Sequence, residues 1–252
     1  MTIADTLLLM VAGLAAGAIN AVAGGGTFFT FGAFVATGLP PLVANASSAV
    51  ALTPANLGSV VGYWPEIRRH WPRYRWLAAV SILGGLCGAA LLLLTSRDGF
   101  KAIVPWCLGF ATLLFAAAPA IRRFADRLAA GPPGAGRHRL GVALQFLVSI
   151  YGGYFGAGMG IIMLSAMSLA EGDDYHFNNG AKNLNALLIQ TFSMLSFIVA
   201  GIVSWPHILI ATVAAAFGGY FGVELARRVP LIIIRGLVIV TGATLALRFW
   251  LA

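Results

Sequence analysis

Gly24-Gly25-Gly26 and, 132 residues further on, Gly156-Ala157-Gly158-Met159-Gly160 interrupt apolar stretches that otherwise read as membrane-spanning helices. Glycine weakens a helix by about 1 kcal/mol per residue relative to alanine. Such a cluster in mid-span makes sense where the helix is built to break. Broken helices at matching places in two halves of a chain point to a transporter's substrate site.

Working outward from the two clusters, apolar runs cover about 5–22, 27–38, 43–63, 76–95, 102–119, 139–155, 158–170, 180–201, 207–226 and 231–250. A full crossing takes ~20 apolar residues. The runs at 27–38 and 158–170 are therefore short, and each follows a glycine cluster. They read equally as half-helices, steep crossings or re-entrant arms. The first cluster is followed by Gly38-Leu39-Pro40-Pro41 and Asn45-Ala46-Ser47-Ser48; the second by Glu171-Gly172-Asp173-Asp174 and Asn179-Gly180-Ala181-Lys182. Each half thus has a span, a glycine break, a short arm, a turn, a polar helix and two further spans.

The whole composition agrees. The chain is 60% hydrophobic and 10% charged, against roughly a quarter charged in a soluble domain. A net charge of +8 would suggest nucleic acid in a soluble protein, but here the positive-inside rule accounts for it. Arg68, Arg69, Arg73 and Arg75, then Arg122, Arg123, Arg127, Arg137 and Arg139, then Arg227, Arg228 and Arg235 fall consistently on one side. Only Arg97, Lys101 and Arg248 fall on the other, while Lys182 lies just inside a span. The three large clusters are therefore expected in the cytoplasm and both termini outside. Five passes on each side of a cytoplasmic linker make the repeats inverted. The N-terminal run lacks a basic n-region and reads as a retained span rather than a signal peptide.

The expected fold is an all-α integral membrane protein of two inverted repeats with glycine-broken half-helices and eight to ten membrane segments. The first repeat covers 1–119, a cytoplasmic linker 120–138, and the second repeat 139–252.

On a helical wheel, Asn45, Ser48, Thr53, Asn56 and Ser59 share one face of the first polar helix, with Ser47 off it. Asn178, Asn179, Lys182, Asn185, Gln190, Ser193 and Ser196 share one face of the second. Such stripes face the bundle interior or a water-filled cavity, since lipid offers them no partner. They serve either as a substrate pathway or as hydrogen-bonding glue between helices. Pro54 in mid-helix frees the carbonyl of Val50. Lys182 either snorkels to the interface or pairs with an anion, which half-helix N-termini also favour.

The acids are Asp5, Glu66, Asp98, Asp126, Glu171, Asp173, Asp174 and Glu224. None falls at a midplane position, and Glu224 can pair with Arg227. An interior of amides, hydroxyls and one ammonium suits an anion. Cys87 and Cys107 read as small buried hydrophobes or, alternatively, as a membrane thiol redox pair. The four histidines lack metal-ligand spacing, no enzyme motif appears, and no cofactor or nucleic-acid partner is expected.

Asn20-Ala21-Val22-Ala23-Gly24-Gly25-Gly26-Thr27 with Ala44-Asn45-Ala46-Ser47-Ser48, and Tyr151-Gly152-Gly153-Tyr154-Phe155-Gly156-Ala157-Gly158-Met159-Gly160 with Ala181-Lys182-Asn183-Leu184-Asn185, resemble the paired signatures of the TauE/SafE family of sulfite exporters. The resemblance implies a bacterial inner-membrane carrier of sulfite, sulfoacetate or another organosulfonate, with about eight spans in two inverted repeats. Asn20 and Gly152 stand where many members carry an acid, and Ala49 where the first repeat often has a lysine. These departures alter the pocket's charge inventory. The expected substrate residues are Asn20, Gly24, Gly25, Gly26, Thr27, Asn45, Ser48, Asn56, Gly156, Gly158, Gly160, Asn178, Lys182, Asn185 and Gln190. A different small anion, such as a carboxylate, is the alternative cargo. The reading leaves room for a homodimer.

Overall fold

The computed structural model describes residues 1–22, 25–129, 135–171, 175–228 and 231–251. Those residues form helices and no strand. In order they are α1 (Ile3–Val22), α2 (Thr27–Ala36), α3 (Pro41–Gly62), α4 (Trp64–Arg69), α5 (Trp71–Leu94), α6 (Arg97–Ala129), α7 (Ala135–Tyr154), α8 (Met159–Glu171), α9 (Tyr175–Val199), α10 (Trp205–Arg228) and α11 (Leu231–Leu251). Ten match the apolar runs; the added one, α4, is a six-residue helix amid the first basic cluster. Helix α6 continues to Ala129 and α7 starts at Ala135, so most of 120–138 is helical, and residues 130–134 lie outside the described residues.

Among the described residues, four stretches are long and apolar enough to cross a membrane by themselves: Ile3–Asn20, Tyr74–Leu94, Arg97–Ala125 and Ile232–Leu251. Helices α3 and α9, at 22 and 25 residues, are long enough but carry the polar stripes. Val11, Leu83, Leu113, Val213 and Val240 are exposed, while Asn45, Ser47, Ser48, Asn178, Asn185 and Gln190 are buried. Apolar outside and polar within is the order imposed when the surrounding solvent is hydrocarbon. The chain is an all-α integral membrane protein.

Adding 134 to a residue number carries one half onto the other. It takes Pro41, the start of α3, onto Tyr175, the start of α9, and Trp71-Pro72 onto Trp205-Pro206, which open α5 and α10. Proline suits a helix's first turn because its missing N–H has no intrahelical partner there. The packing follows the same rule. Helix α1 packs on α10 as α7 packs on α5, α3 touches α10 as α9 touches α5, and α2 meets α11 as α8 meets α6. Under this correspondence α3–α9 and α6–α11 each map onto themselves.

Small residues make the two closest crossings. Gly13 and Gly17 of α1 lie on Ala211 and Ala215 of α10, so these helices run parallel. Gly84 and Gly88 of α5 lie on Ser149 and Ile150 of α7, also in parallel. A Cβ on Gly17 or Gly88 would run into the carbonyl oxygen of Ala215 or Ile150. Backbones approach this closely only where side chains are absent, the usual device for holding membrane helices together.

Contacts also fix the other directions. Tyr74 bonds the carbonyl of Phe177 and Gly85 accepts from Ser193, so α9 runs parallel to α5. Asn45, near the start of α3, bonds the end of α7, while Ile67 of α4, just past the end of α3, approaches Gly180 near the start of α9. Helices α3 and α9 are therefore antiparallel. Trp106 meets Trp250 and Thr112 meets Gly242, making α6 and α11 antiparallel too. These directions gather the basic clusters at one end of the bundle, and Arg97, Lys101 and Arg248 at the other.

Candidate functional site at the helix breaks

The two glycine breaks meet a common side chain. A Cβ on Gly25 would come 2.8 Å from Phe115 Cζ, and one on Gly158 3.3 Å from Phe115 Cε2. Phe115 is buried in the middle of α6, so both breaks come to one edge of the same ring. Gly24 lies outside the described residues. Gly26 must be glycine for a different reason: a Cβ would collide with the backbone of Ala16 in α1, because α2 folds back along α1. Helix α2 is thus a returning arm rather than a continuation. Its first turn is closed by Phe28 N–H and Phe29 N–H donating to the carbonyls of Gly25 and Gly26, at 3.3 and 3.0 Å.

The second break is built from left-handed turns. Gly156 and Gly158 have φ of +78° and +77°, a region costly for residues with a Cβ. Tyr151 pins the loop, its hydroxyl donating to the carbonyl of Ala157 at 2.6 Å, while Gly156 N–H donates to the Tyr151 carbonyl at 3.1 Å. Helix α8 then starts at Met159 and runs back beside α7 and α9.

Between the breaks runs a row of amides. Asn20 Nδ2 donates to Asn56 Oδ1 at 3.0 Å, and Asn56 Nδ2 donates to Gln190 Oε1 at 3.1 Å. The row ties α1, α3 and α9. Asn56 and Gln190 correspond under the shift of 134, so the antiparallel helices cross where equivalent residues touch. Gly156 stands beside the same glutamine, with a Cβ position 3.9 Å from Gln190 Nε2. Four expected site residues from both halves are therefore brought together.

Others serve mainly their own packing. Ser48 and Thr30 share a short hydroxyl–hydroxyl bond between α3 and α2, and Thr30 also bonds the carbonyl of Thr27 at 3.4 Å. Asn178 Nδ2 donates to Ser168 Oγ at 3.3 Å, between α9 and α8. Ser193 donates to Gly85, and Thr53 to Ala49 within its own helix. Ser47, off the stripe, accepts from Ser204 N–H at 2.9 Å and anchors the start of α10.

A third group keeps unused capacity. Asn45 Nδ2 donates to the Tyr154 carbonyl at 2.9 Å, but its buried Oδ1 has no partner among the described residues. Asn185 is 1% exposed, and neither its Nδ2 nor its Oδ1 has a partner among the described residues. One turn earlier, half-buried Lys182 lays its chain past Gly160, with Cδ 3.9 Å from a Cβ placed there. No described residue forms an ion pair with it. Unpaired buried polar groups are expensive. This cluster therefore has capacity that a ligand or water can use.

Tyr151, Tyr154, Thr30 and Phe115 also touch these elements, though none is among the expected substrate residues. The tyrosines flank Gly152-Gly153 just before the break, and Thr30 stands one turn beyond Thr27, so a weak signal existed. Phe115 is one apolar residue among many. Cys87 is exposed, Cys107 is half-buried, and both are free. The side chain of Glu224 lies outside the described residues, as does any pairing with Arg227.

A family model described as sulfite exporter TauE/SafE matches residues 9–249. The chain is also 27% identical over 251 residues to a protein of Sinorhizobium sp named probable membrane transporter protein ORF9, covering 95% of this chain and 90% of that one. A match spanning nearly every helix and both glycine breaks leaves one conclusion: this chain belongs to the sulfite exporter TauE/SafE family.

Proposed function

We propose that the protein is a secondary transporter of the bacterial inner membrane that moves a small sulfur-containing anion, such as sulfite, sulfoacetate or another organosulfonate, by alternating access. The observation that carries the proposal is the cluster of Lys182 and Asn185 beside Gly160, where, among the described residues, Asn185 has no hydrogen-bond partner and Lys182 no ion pair. Lys182 supplies the complementary charge. Asn185 and Asn45 supply directional bonds, and the glycine arms let an oxyanion approach the backbone and the positive ends of α2 and α8. The family's description as sulfite exporters supports the choice of sulfur oxyanions.

The repeated packing and the antiparallel α3–α9 crossing support inverted repeats, with 1–119 and 139–252 as the two units. The close glycine crossings make α1–α10 and α5–α7 two stiff pairs. The Asn20–Asn56–Gln190 row is then the seam that parts as one bundle rocks against the other. The basic end of the bundle is cytoplasmic by the positive-inside rule.

A thermal-shift panel of sulfite, sulfoacetate, taurine, sulfate and small carboxylates tests the cargo, since a ligand of the folded state stabilises it by mass action. Sulfur oxyanions should raise the melting temperature and carboxylates should not; the reverse result would replace the cargo. An anion bonded to a partly desolvated ammonium gains ~1.5–3 kcal/mol, so Lys182→Ala should weaken binding about ten- to a hundred-fold. Lys182→Arg should rescue poorly, because guanidinium is larger and planar. Equal affinity across the three proteins would remove Lys182 from the site.

A further inference from the structure

At the end of the bundle opposite the basic clusters, a cleft of about 320 Å³ opens between the start of α6 and the end of α11. It is lined by Asp98, Lys101, Ala102, Pro105, Trp106, Phe249 and Trp250. Trp106 and Trp250 meet edge to face, centroids 4.9 Å apart, and both are more than half exposed. Tryptophans presented this way mark the level of lipid head groups.

The charges in the cleft are unusual. Asp98 and Lys101 are three residues apart on the first turn of α6, where opposite charges commonly pair, yet they form no ion pair with each other. Both line the same space. Arg97 and Arg248 are neighbours in sequence but do not line it, so the lining carries one charge of each sign. Ile103 and Leu247, deeper along the same two helices than Asp98 and Trp250, are exposed apolar residues.

We infer that this cleft holds the head group of a zwitterionic phospholipid, a phosphatidylethanolamine. Lys101 takes the phosphate, and Asp98 takes the ammonium, assisted by the face of a tryptophan. The acyl chains lie along α6 and α11. Selection comes from the matched pair of charges: an anionic phosphatidylglycerol satisfies Lys101 but leaves Asp98 facing a neutral glycerol. This site is separate from the helix breaks and does not depend on the proposed cargo.

Detergent-purified protein is exchanged into equal amounts of phosphatidylethanolamine and phosphatidylglycerol with the same acyl chains, and retained lipid is counted by mass spectrometry. The parent protein should retain phosphatidylethanolamine preferentially. Asp98→Asn and Lys101→Gln should each lower that preference about three- to tenfold, the range for a partly exposed charge contact. Both side chains are exposed, and unchanged melting in detergent alone shows that the variants fold. Equal retention of the two lipids by the parent, or an undiminished preference in both variants, would overturn the inference. So would displacement of the lipid by an equimolar amount of soluble glycerophosphoethanolamine, because the cleft would then select a free head-group compound rather than a lipid.

Discussion

The first break, where α1 turns back into α2, and the second, where α7 turns back into α8, occupy equivalent places and touch the same ring, Phe115. Their polar neighbours differ. Beside the first break Ser48 is bonded to Thr30, and Asn20 to Asn56. The shift of 134 takes Ser48 onto Lys182 and Thr30 onto Leu164. Where one half has a hydroxyl pair, the corresponding positions of the other hold a lysine and a leucine, and Asn185, one turn on, has no partner among the described residues. Matching packing need not carry matching chemistry. Where polar groups satisfy one another they stabilise packing, and where they do not they leave capacity for a ligand.

The equivalence of the scaffolds can be broken most severely at the glycine crossings. Gly17→Val and Gly88→Val each force a side chain into a facing carbonyl, and both should cost more than about 3 kcal/mol and yield little monodisperse protein on size exclusion. Gly236→Ala, with nothing within 4 Å of its new Cβ, should purify normally. Tolerance of one valine but not the other would show that the two helix pairs are not mechanically alike.

The chemical difference is sharpened by comparing Ser48→Ala with Lys182→Ala. The serine variant should change anion affinity by less than about threefold while losing ~1 kcal/mol of stability. The lysine variant should lose affinity about ten- to a hundred-fold. Equal losses of affinity would mean that both halves bind the anion.

A smaller effect is expected where the halves touch. In a double-mutant cycle of Asn56→Ala and Gln190→Ala, unfolding measurements should give a coupling of ~0.5–1.5 kcal/mol. Additive losses would mean that the bond joining the two polar helices contributes nothing net. The smallest effect is reserved for the cysteines, which occur on α5 and α6 of the first half only. Cys87→Ser with Cys107→Ser should leave anion flux in vesicles unchanged, whereas lost flux would revive the redox alternative.

The returning arms show how far local reading reaches. Glycine clusters beside ten-residue apolar runs mark a break, but they do not say whether the arm crosses or folds back. The collision that a Cβ on Gly26 would make with Ala16 decides it for α2. The polar stripes behave likewise. Helical spacing placed Asn56, Gln190, Ser193 and Asn185 on inward faces, yet it could not distinguish the bond between equivalent amides, the bond to Gly85 and the unpaired side chain.

The sequence by itself determined the membrane class, the helix order, the two breaks and the clustering of basic residues. Hydropathy, backbone freedom and charge are properties of a residue and its near neighbours, so they survive without a fold. Only the tertiary structure decided that both breaks meet at Phe115, that Asn56 touches Gln190, and that Lys182 lies beside Gly160. A polar or small side chain acquires its role from a partner on another helix, often more than a hundred residues away, and no local pattern specifies which partner arrives.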